Sequence, residues 1–367
     1  MADGRTRVSR RSFITTLGTG AATLSGILPM SLDASSVPQS DAIILDAAAP
    51  ILTPDTPDEA LDAFVAHLKN ARVGCVLIPV VTSEDWPTAV ERILSFEPFL
   101  MKRGFVQVRT ASQIRAATSS GRIAAIYGCC ASYALGSPFD LRGAMISTFT
   151  IKRLQRLHEL GVRVIQVTDD YKGYAGDGCT ERTNCGLTDY GIWALKTMNE
   201  LGLVVDCSHA GLKTSLEAIE RSDSPVIFSH ANVNAICASK CNLSDEQIRA
   251  VAAKGGVIGI SALGSFVDPR NETLERYLDH LDYVSKLVGV DHVGIGLNYA
   301  NENNDTFAQN RRDPAVYPKP PWTYAIKDPS AIPLVSAGLR ARGYDATAVS
   351  KILGGNFLRI FEQVWKT

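Results

Sequence analysis

Short apolar runs rich in β-branched residues recur along the chain, each followed by a stretch with apolar side chains at helical spacing. The runs are Ala42–Leu45, Gly74–Val81, Ile123–Tyr127, Val162–Val167, Leu203–Asp206, Pro225–Ser229, Gly256–Ser261 and His292–Gly296. Each is four to eight residues long, which suits a strand buried on both faces. Between them, Asp58–Ala71 carries Leu61, Phe64, Val65 and Leu68 at helical spacing, and Ile151–Leu160 carries Leu154 and Leu157. Tyr190–Leu201, Ser244–Lys254 and Leu274–Val288 read the same way, each running into a Gly-containing turn. Eight such β-then-α units predict a closed (β/α)8 TIM-like barrel. An open doubly wound sheet fits less well, because no G-x-G-x-x-G follows the first strand.

In such a barrel the chemistry sits where strands end and βα loops begin. That rule selects Asp46–Pro50, Tyr127–Cys130, Asp169–Tyr171, Asp206–His209, Ser229–Asn234 and Leu297–Asn301.

Composition changes this picture little. The 367 residues are 46% hydrophobic and 20% charged, with a formal net charge of −1, so nothing selects nucleic acid or an anionic membrane as partner. The start of the chain adds more. Ser9-Arg10-Arg11-Ser12-Phe13-Ile14 fits a twin-arginine export signal, and the apolar stretch Thr15–Met30 that follows is too short and too rich in Gly, Ser and Thr to span a membrane. Residues 1–40 are therefore set aside as signal and flexible terminus. The expectation is an exported, periplasmic protein with a single barrel domain over 41–367 and no transmembrane segment when mature.

Eight cysteines in an exported chain raise the question of disulfides. Cys179 and Cys185 share one loop and are a candidate pair, and Cys237 and Cys241 are near enough to be another. Cys75, inside an apolar run, reads as core.

The strand ends resemble the membrane (renal) dipeptidase family of metallopeptidases. The resemblance rests on Gly186-Leu187-Thr188-Asp189-Tyr190-Gly191, Met198–Leu203, Val205-Asp206-Cys207-Ser208-His209 and Pro225–His230. It continues through Asn242–Glu246, Gly255-Gly256-Val257, Asp291–Gly296 and Gly354–Arg359, in order, from about residue 41 to the end. It implies a barrel of the metallo-dependent hydrolase type whose active members hold two zinc ions and cut small dipeptides.

Carried over residue by residue, the resemblance leaves two metal ligands, His209 and His230, at the positions that bind the family's second zinc. The first strand's Asp-Gly-His-x-Asp reads Asp46-Ala47-Ala48-Ala49-Pro50, so Ala48 and Pro50 stand where ligands belong. The bridging Glu-Gly is matched by Tyr127-Gly128, and the aspartate after Gly-Ile-Gly by Asn298. The Thr-His pair that ends the fourth strand is Thr168-Asp169, with Asp170 next, and the carboxylate-gripping arginine is Cys241, preceded by Lys240.

The candidate catalytic residues are thus Tyr127, Asp169, Asp170, His209 and His230. Lys240 and Asn298 are candidates for substrate contact, and His209 and His230 for one divalent metal, zinc or iron. Metal-free acid–base chemistry, with a histidine as base and Tyr127 as acid, stays open. So do three function classes. One is an enzyme of changed mechanism acting on a small amide- or peptide-derived metabolite, one is a silent barrel that binds a small ligand or protein, and one is a zinc dipeptidase with substitute ligands. A homodimer, common in the family, and a monomer both stay open.

Overall fold

The structure, a computed structural model, describes residues 42–52, 56–82, 84–130, 132–135, 146–299, 316–317 and 321–366. The twin-arginine segment lies outside them. Among the described residues no helix is long and apolar enough to cross a membrane.

The chain runs β1 (Ile44–Asp46), α1 (Asp58–Asn70), β2 (Val73–Val81), α2 (Trp86–Met101), β3 (Phe105–Gln107) and α3 (Ala111–Ser119). It continues β4 (Ile123–Cys129), α4 (Ile146–Glu159), β5 (Val162–Gln166), α5 (Asp189–Leu201), β6 (Val204–Asp206) and α6 (Leu212–Arg221). Then come β7 (Ile227–Phe228), α7 (Asp245–Ala253), β8 (Val257–Ile260), α8 (Gly264–Val267), α9 (Leu274–Val288) and β9 (Val293–Ile295). Helices α10 (Ile332–Ala341), α11 (Ala346–Ser350) and α12 (Asn356–Val364) finish it.

All strand pairs are parallel, in the order β1-β2-β4-β5-β6-β7-β8-β9. The seam between β9 and β1 is drawn together just past the strand ends, where Ala47 N–H donates to the Ile295 carbonyl at 3.1 Å. The Asp46 carboxylate pins the same seam, accepting from the N–H groups of Ala48 at 3.1 Å and Leu297 at 2.9 Å. This is the predicted (β/α)8 barrel.

The strand between α2 and α3 was not among the predicted runs. β3 pairs with the first half of β4, through Phe105, Val106 and Gln107, while β5 pairs with the second half, from Tyr127 to Cys129. β3 thus fills the gap that the late start of β5 leaves on that edge of β4. A three-residue strand carries too little pattern to stand out in sequence.

Side chains alternate between two apolar layers, as strands require. Leu45, Leu77, Ala124, Ile126, Val164, Val204, Ile227 and Val257 form one cluster with Phe357, Ile360 and Phe361 of α12, which fills the barrel and plugs its floor. Val76, Ile78, Ala125, Tyr127, Ile165, Val205, Phe228 and Ile258 join the other layer, against Leu61, Phe96, Leu154, Leu195 and Ile248 of the helices. A third, small cluster of Cys241, Leu263, Phe266, Val316, Tyr317 and Trp322 sits beside the residues that follow β7 and β8.

Candidate active site

Where β6 and β7 end, one buried carboxylate organises two histidines. Asp206 Oδ1 accepts from the N–H groups of Ser208 and Ser229, both at 2.9 Å, and from Ser208 Oγ at 2.7 Å. Its Oδ2 accepts from Ser229 Oγ at 2.5 Å. Ser229 Oγ then lies 2.8 Å from His230 Nδ1. Since that hydroxyl already donates to Asp206, it accepts from His230 Nδ1–H, which leaves His230 Nε2 with its lone pair outward.

His230 Nε2 meets His209 Nε2 at 2.7 Å, and His209 Nδ1 lies 2.7 Å from Asp170 Oδ1. The result is a continuous chain of side chains, Asp206, Ser229, His230, His209 and Asp170, across the ends of three adjacent strands. His209 has φ +63°, a left-handed backbone that a non-glycine residue adopts rarely and mostly where tertiary contacts enforce it. Its carbonyl accepts from Cys179 N–H at 2.6 Å, one of the contacts that hold it there.

Asp170 is buried and shares one oxygen among several neighbours. Besides His209, the Tyr317 hydroxyl donates to Asp170 Oδ1 at 3.0 Å and lies 3.3 Å from His209 Nδ1. The sulfurs of Cys179 and Cys241 stand 3.5 and 3.7 Å from that oxygen. These two cysteines are joined to each other, with their Cα atoms 5.1 Å apart and a separation of 62 in the chain. Both pairings expected from sequence are therefore wrong, since Cys185 and Cys237 are free. Cys179 follows β5 and Cys241 follows β7, and closing the barrel brings them together over His209.

The remaining predicted site residues fall in different places. Tyr127 belongs to the helix-facing layer, edge-on to Phe96 of α2 with ring centroids 6.0 Å apart. Its hydroxyl is buried with no hydrogen-bond partner among the described residues, and burial pushes the phenol above its ordinary range. The next residue, Gly128, takes the barrel-facing register, where an added Cβ would meet Leu77 Cδ1 at 3.1 Å. Tyr127 is thus not brought together with the histidines, because a strand sends neighbouring side chains to opposite faces.

Asp169 lies beside Asp170, whose N–H its carboxylate accepts at 2.8 Å. Lys240 is exposed next to Cys241. Asn298 is half-buried across the seam from the first strand, its N–H donating to the Ala48 carbonyl at 2.9 Å, with φ +55°. Cys129 and Cys207 pack in the helix-facing layer, and burial pushes the Cys129 thiol up to about 12, which suits inert core residues.

Tyr317 was missed by sequence reasoning. It stands in no recognisable motif, and only folding places its hydroxyl over Asp170.

The Nε2 atoms of His209 and His230 form a donor pair that fits a metal ion. The Nε2 atoms of His209 and His230 converge, and each ring is anchored through Nδ1 by an acceptor, Asp170 or Ser229 Oγ, as metal-ligating histidines usually are. Ligand atoms around a tetrahedral ion sit roughly 3.3 Å apart, so the pair would open by a fraction of an ångström. Of the residues expected at the family's other metal position, Ala48 and Pro50 have no ligating side-chain atom, and Tyr127 packs in the helix-facing layer.

A parallel barrel with a carboxylate–histidine pair and a second histidine at the C-terminal ends of its strands carries its polar cluster where barrels of this fold place their active sites. The membrane dipeptidase family (peptidase family M19) matches residues 55–319, and the chain belongs to that family. It is 30% identical over 224 residues to the protein of the pqqA 5′ region of Klebsiella pneumoniae, covering 58% of this chain and 76% of that one. It is 29% identical over 259 residues to dipeptidase verJ of Clonostachys rogersoniana, covering 70% of this chain and 59% of the other. The chain therefore spans a little over half the length of that dipeptidase. An amidohydrolase from Pseudomonas aeruginosa superposes with a TM-score of 0.74 at 24% identity, covering 89% of this chain and 97% of that one, which shows the shared fold.

Proposed function

We propose that this dipeptidase-family protein is an exported enzyme of changed mechanism, acting on a small amide- or peptide-derived metabolite with at most one divalent metal, zinc or iron, held by His209 and His230. The observation that carries this reading is the anchoring of both rings through Nδ1, His230 by Ser229 and Asp206 and His209 by Asp170, which turns the lone pairs of the two Nε2 atoms, 2.7 Å apart, toward one point. A divalent cation bound there supplies Lewis-acid polarisation of an amide carbonyl.

The chain's own residues do the rest. Asp170 and Tyr317 fix the His209 ring, and Ser229 fixes the His230 ring, so that neither has to reorganise during reaction. His209 or His230 can move a proton at Nε2, where the two rings meet. The arginine position that would grip a dipeptide carboxylate is Cys241, tied into a disulfide, and the nearby Lys240 offers only a point charge. This argues for a substrate other than a plain dipeptide. The replaced ligands at Ala48 and Pro50 also support a second reading, a barrel that binds a small ligand without turnover. The twin-arginine pattern at Arg10 and Arg11 supports export.

The test is metal content of the protein purified after its native export, compared with the His209→Ala/His230→Ala variant. About one ion per chain in the wild type and none in the variant is expected. Equal, negligible metal in both sinks the one-metal reading. Hydrolysis of plain dipeptides, lost with His209→Ala, would instead establish a dipeptidase with substitute ligands.

A further inference from the structure

We propose that reducing the Cys179–Cys241 disulfide creates a second, closed metal position, with a soft divalent cation such as zinc held by Cys179, Cys241, His209 Nδ1 and Asp170. The ligand atoms of these four residues all lie within 4.8 Å of one another. Two cysteine sulfurs, an imidazole nitrogen and a carboxylate oxygen form a donor set suited to tetrahedral zinc. Asp170 Oδ1 is its centre of gravity, with the nitrogen at 2.7 Å and the sulfurs at 3.5 and 3.7 Å. Ligand atoms around such an ion stand roughly 3.3–3.8 Å apart given its bond lengths. The sulfurs already stand at that spacing from the carboxylate oxygen, the nitrogen would move out by a fraction of an ångström, and the main change is separation of the two sulfurs.

While the sulfur–sulfur bond is intact, the site cannot form, because neither sulfur is a thiolate. The chemistry balances with an external dithiol as reductant. Its two thiols become one disulfide, and Cys179 and Cys241 each gain an electron and a proton. On metal binding both thiols release their protons to solvent.

His209 faces both metal positions. Its Nδ1 points at Asp170 and the sulfurs, and its Nε2 points at His230. A neutral imidazole has one lone pair, so it serves one position at a time. When Nδ1 binds metal, Nε2–H donates to His230 Nε2, the kind of outer hydrogen bond that holds a ligating ring. Four protein ligands leave no open coordination position, so the reduced form stores an ion where the oxidised form exposes one. The inference does not need His230 as a ligand, and so stands apart from the one-metal reading above.

The experiment uses Co(II) as the probe with the full-length protein, fully oxidised or reduced by a dithiol that is then removed. The expected result is one equivalent of tightly bound Co(II) in the reduced protein, with a sulfur-to-cobalt charge-transfer band absent from the oxidised protein. The affinity on reduction should rise by at least about tenfold, given that a lost ligand-shell partner alone is worth 10–100-fold. His230→Ala should keep the band, and Cys241→Ser should lose most of it. Reduced wild type that binds no Co(II), or binds it with no sulfur band while both thiols stay open to alkylation, overturns the proposal. Metal bound equally in both redox states without the band overturns it too, while supporting the His209/His230 reading. The comparison of the two redox states of one wild-type protein does not depend on any variant folding.

Discussion

The Asp170 carboxylate lies 2.7 Å from His209 Nδ1 and accepts on the same oxygen from the Tyr317 hydroxyl at 3.0 Å. One oxygen thus fixes both the direction and the tautomer of the ring. An Asp170→Asn change keeps the size but removes the charge that favours Nδ1–H. Metal affinity of the oxidised protein should fall by roughly 10–100-fold, read by competition with a chelator of known affinity. Unchanged affinity would show that Asp170 does not support the ring.

Ser229 is the link between Asp206 and His230, with contacts of 2.5 and 2.8 Å. Ser229→Ala leaves a buried carboxylate oxygen and an imidazole N–H each short of a partner. A loss of about 1–3 kcal/mol in unfolding free energy is expected, measured by urea denaturation at neutral pH. Metal affinity should weaken as well, since His230 then loses its Nδ1 acceptor.

Tyr127 gives the opposite expectation. Its hydroxyl is buried against the helix layer without a partner among the described residues, so Tyr127→Phe removes a group whose burial is uncompensated. Stability should hold or rise by up to about 1 kcal/mol, with turnover and metal content unchanged. A loss of activity in that variant would return the phenol to the site.

Asp46 carries a pH dependence. Burial lifts its carboxyl from 3.8 to about 6, against the lowering effect of the Leu297 and Ala48 N–H groups. Between about pH 4 and 6 the folded chain therefore holds a proton that the unfolded chain has lost. The contribution to stability is fully present below the unfolded value and disappears as pH rises through about 6. At pH 7 the buried carboxylate costs on the order of 3 kcal/mol relative to its acid form. Lowering pH from 7 to 5 should raise the stability of wild type relative to Asp46→Asn. Parallel urea midpoints for the two proteins across that range would exclude the effect.

The fold could be read from the sequence because each barrel strand is a compact apolar run, and Leu274–Val288 could be bounded correctly from its caps and period. His209 and His230 stood out in sequence because both fall just past such runs at positions the resemblance picks out, and the structure brings their Nε2 atoms together at 2.7 Å. What escaped is set by distance in the chain or by facing. Cys179 meets Cys241 across 62 positions, a contact that exists only once β5, β6 and β7 lie side by side. Tyr317 reaches Asp170 across 147 positions. The layer that Tyr127 enters was not legible, because one residue of register decides which face a strand side chain takes.

The Cys179–Cys241 bond has one more consequence. It encloses α5, β6, α6 and β7, and with them both histidines, in a single covalent ring. A protease that cuts the backbone once anywhere between those cysteines would open the loop without freeing a fragment. The nicked molecule would run as one chain until reduced, with the pieces bearing His209 and His230 still tethered around the same mouth.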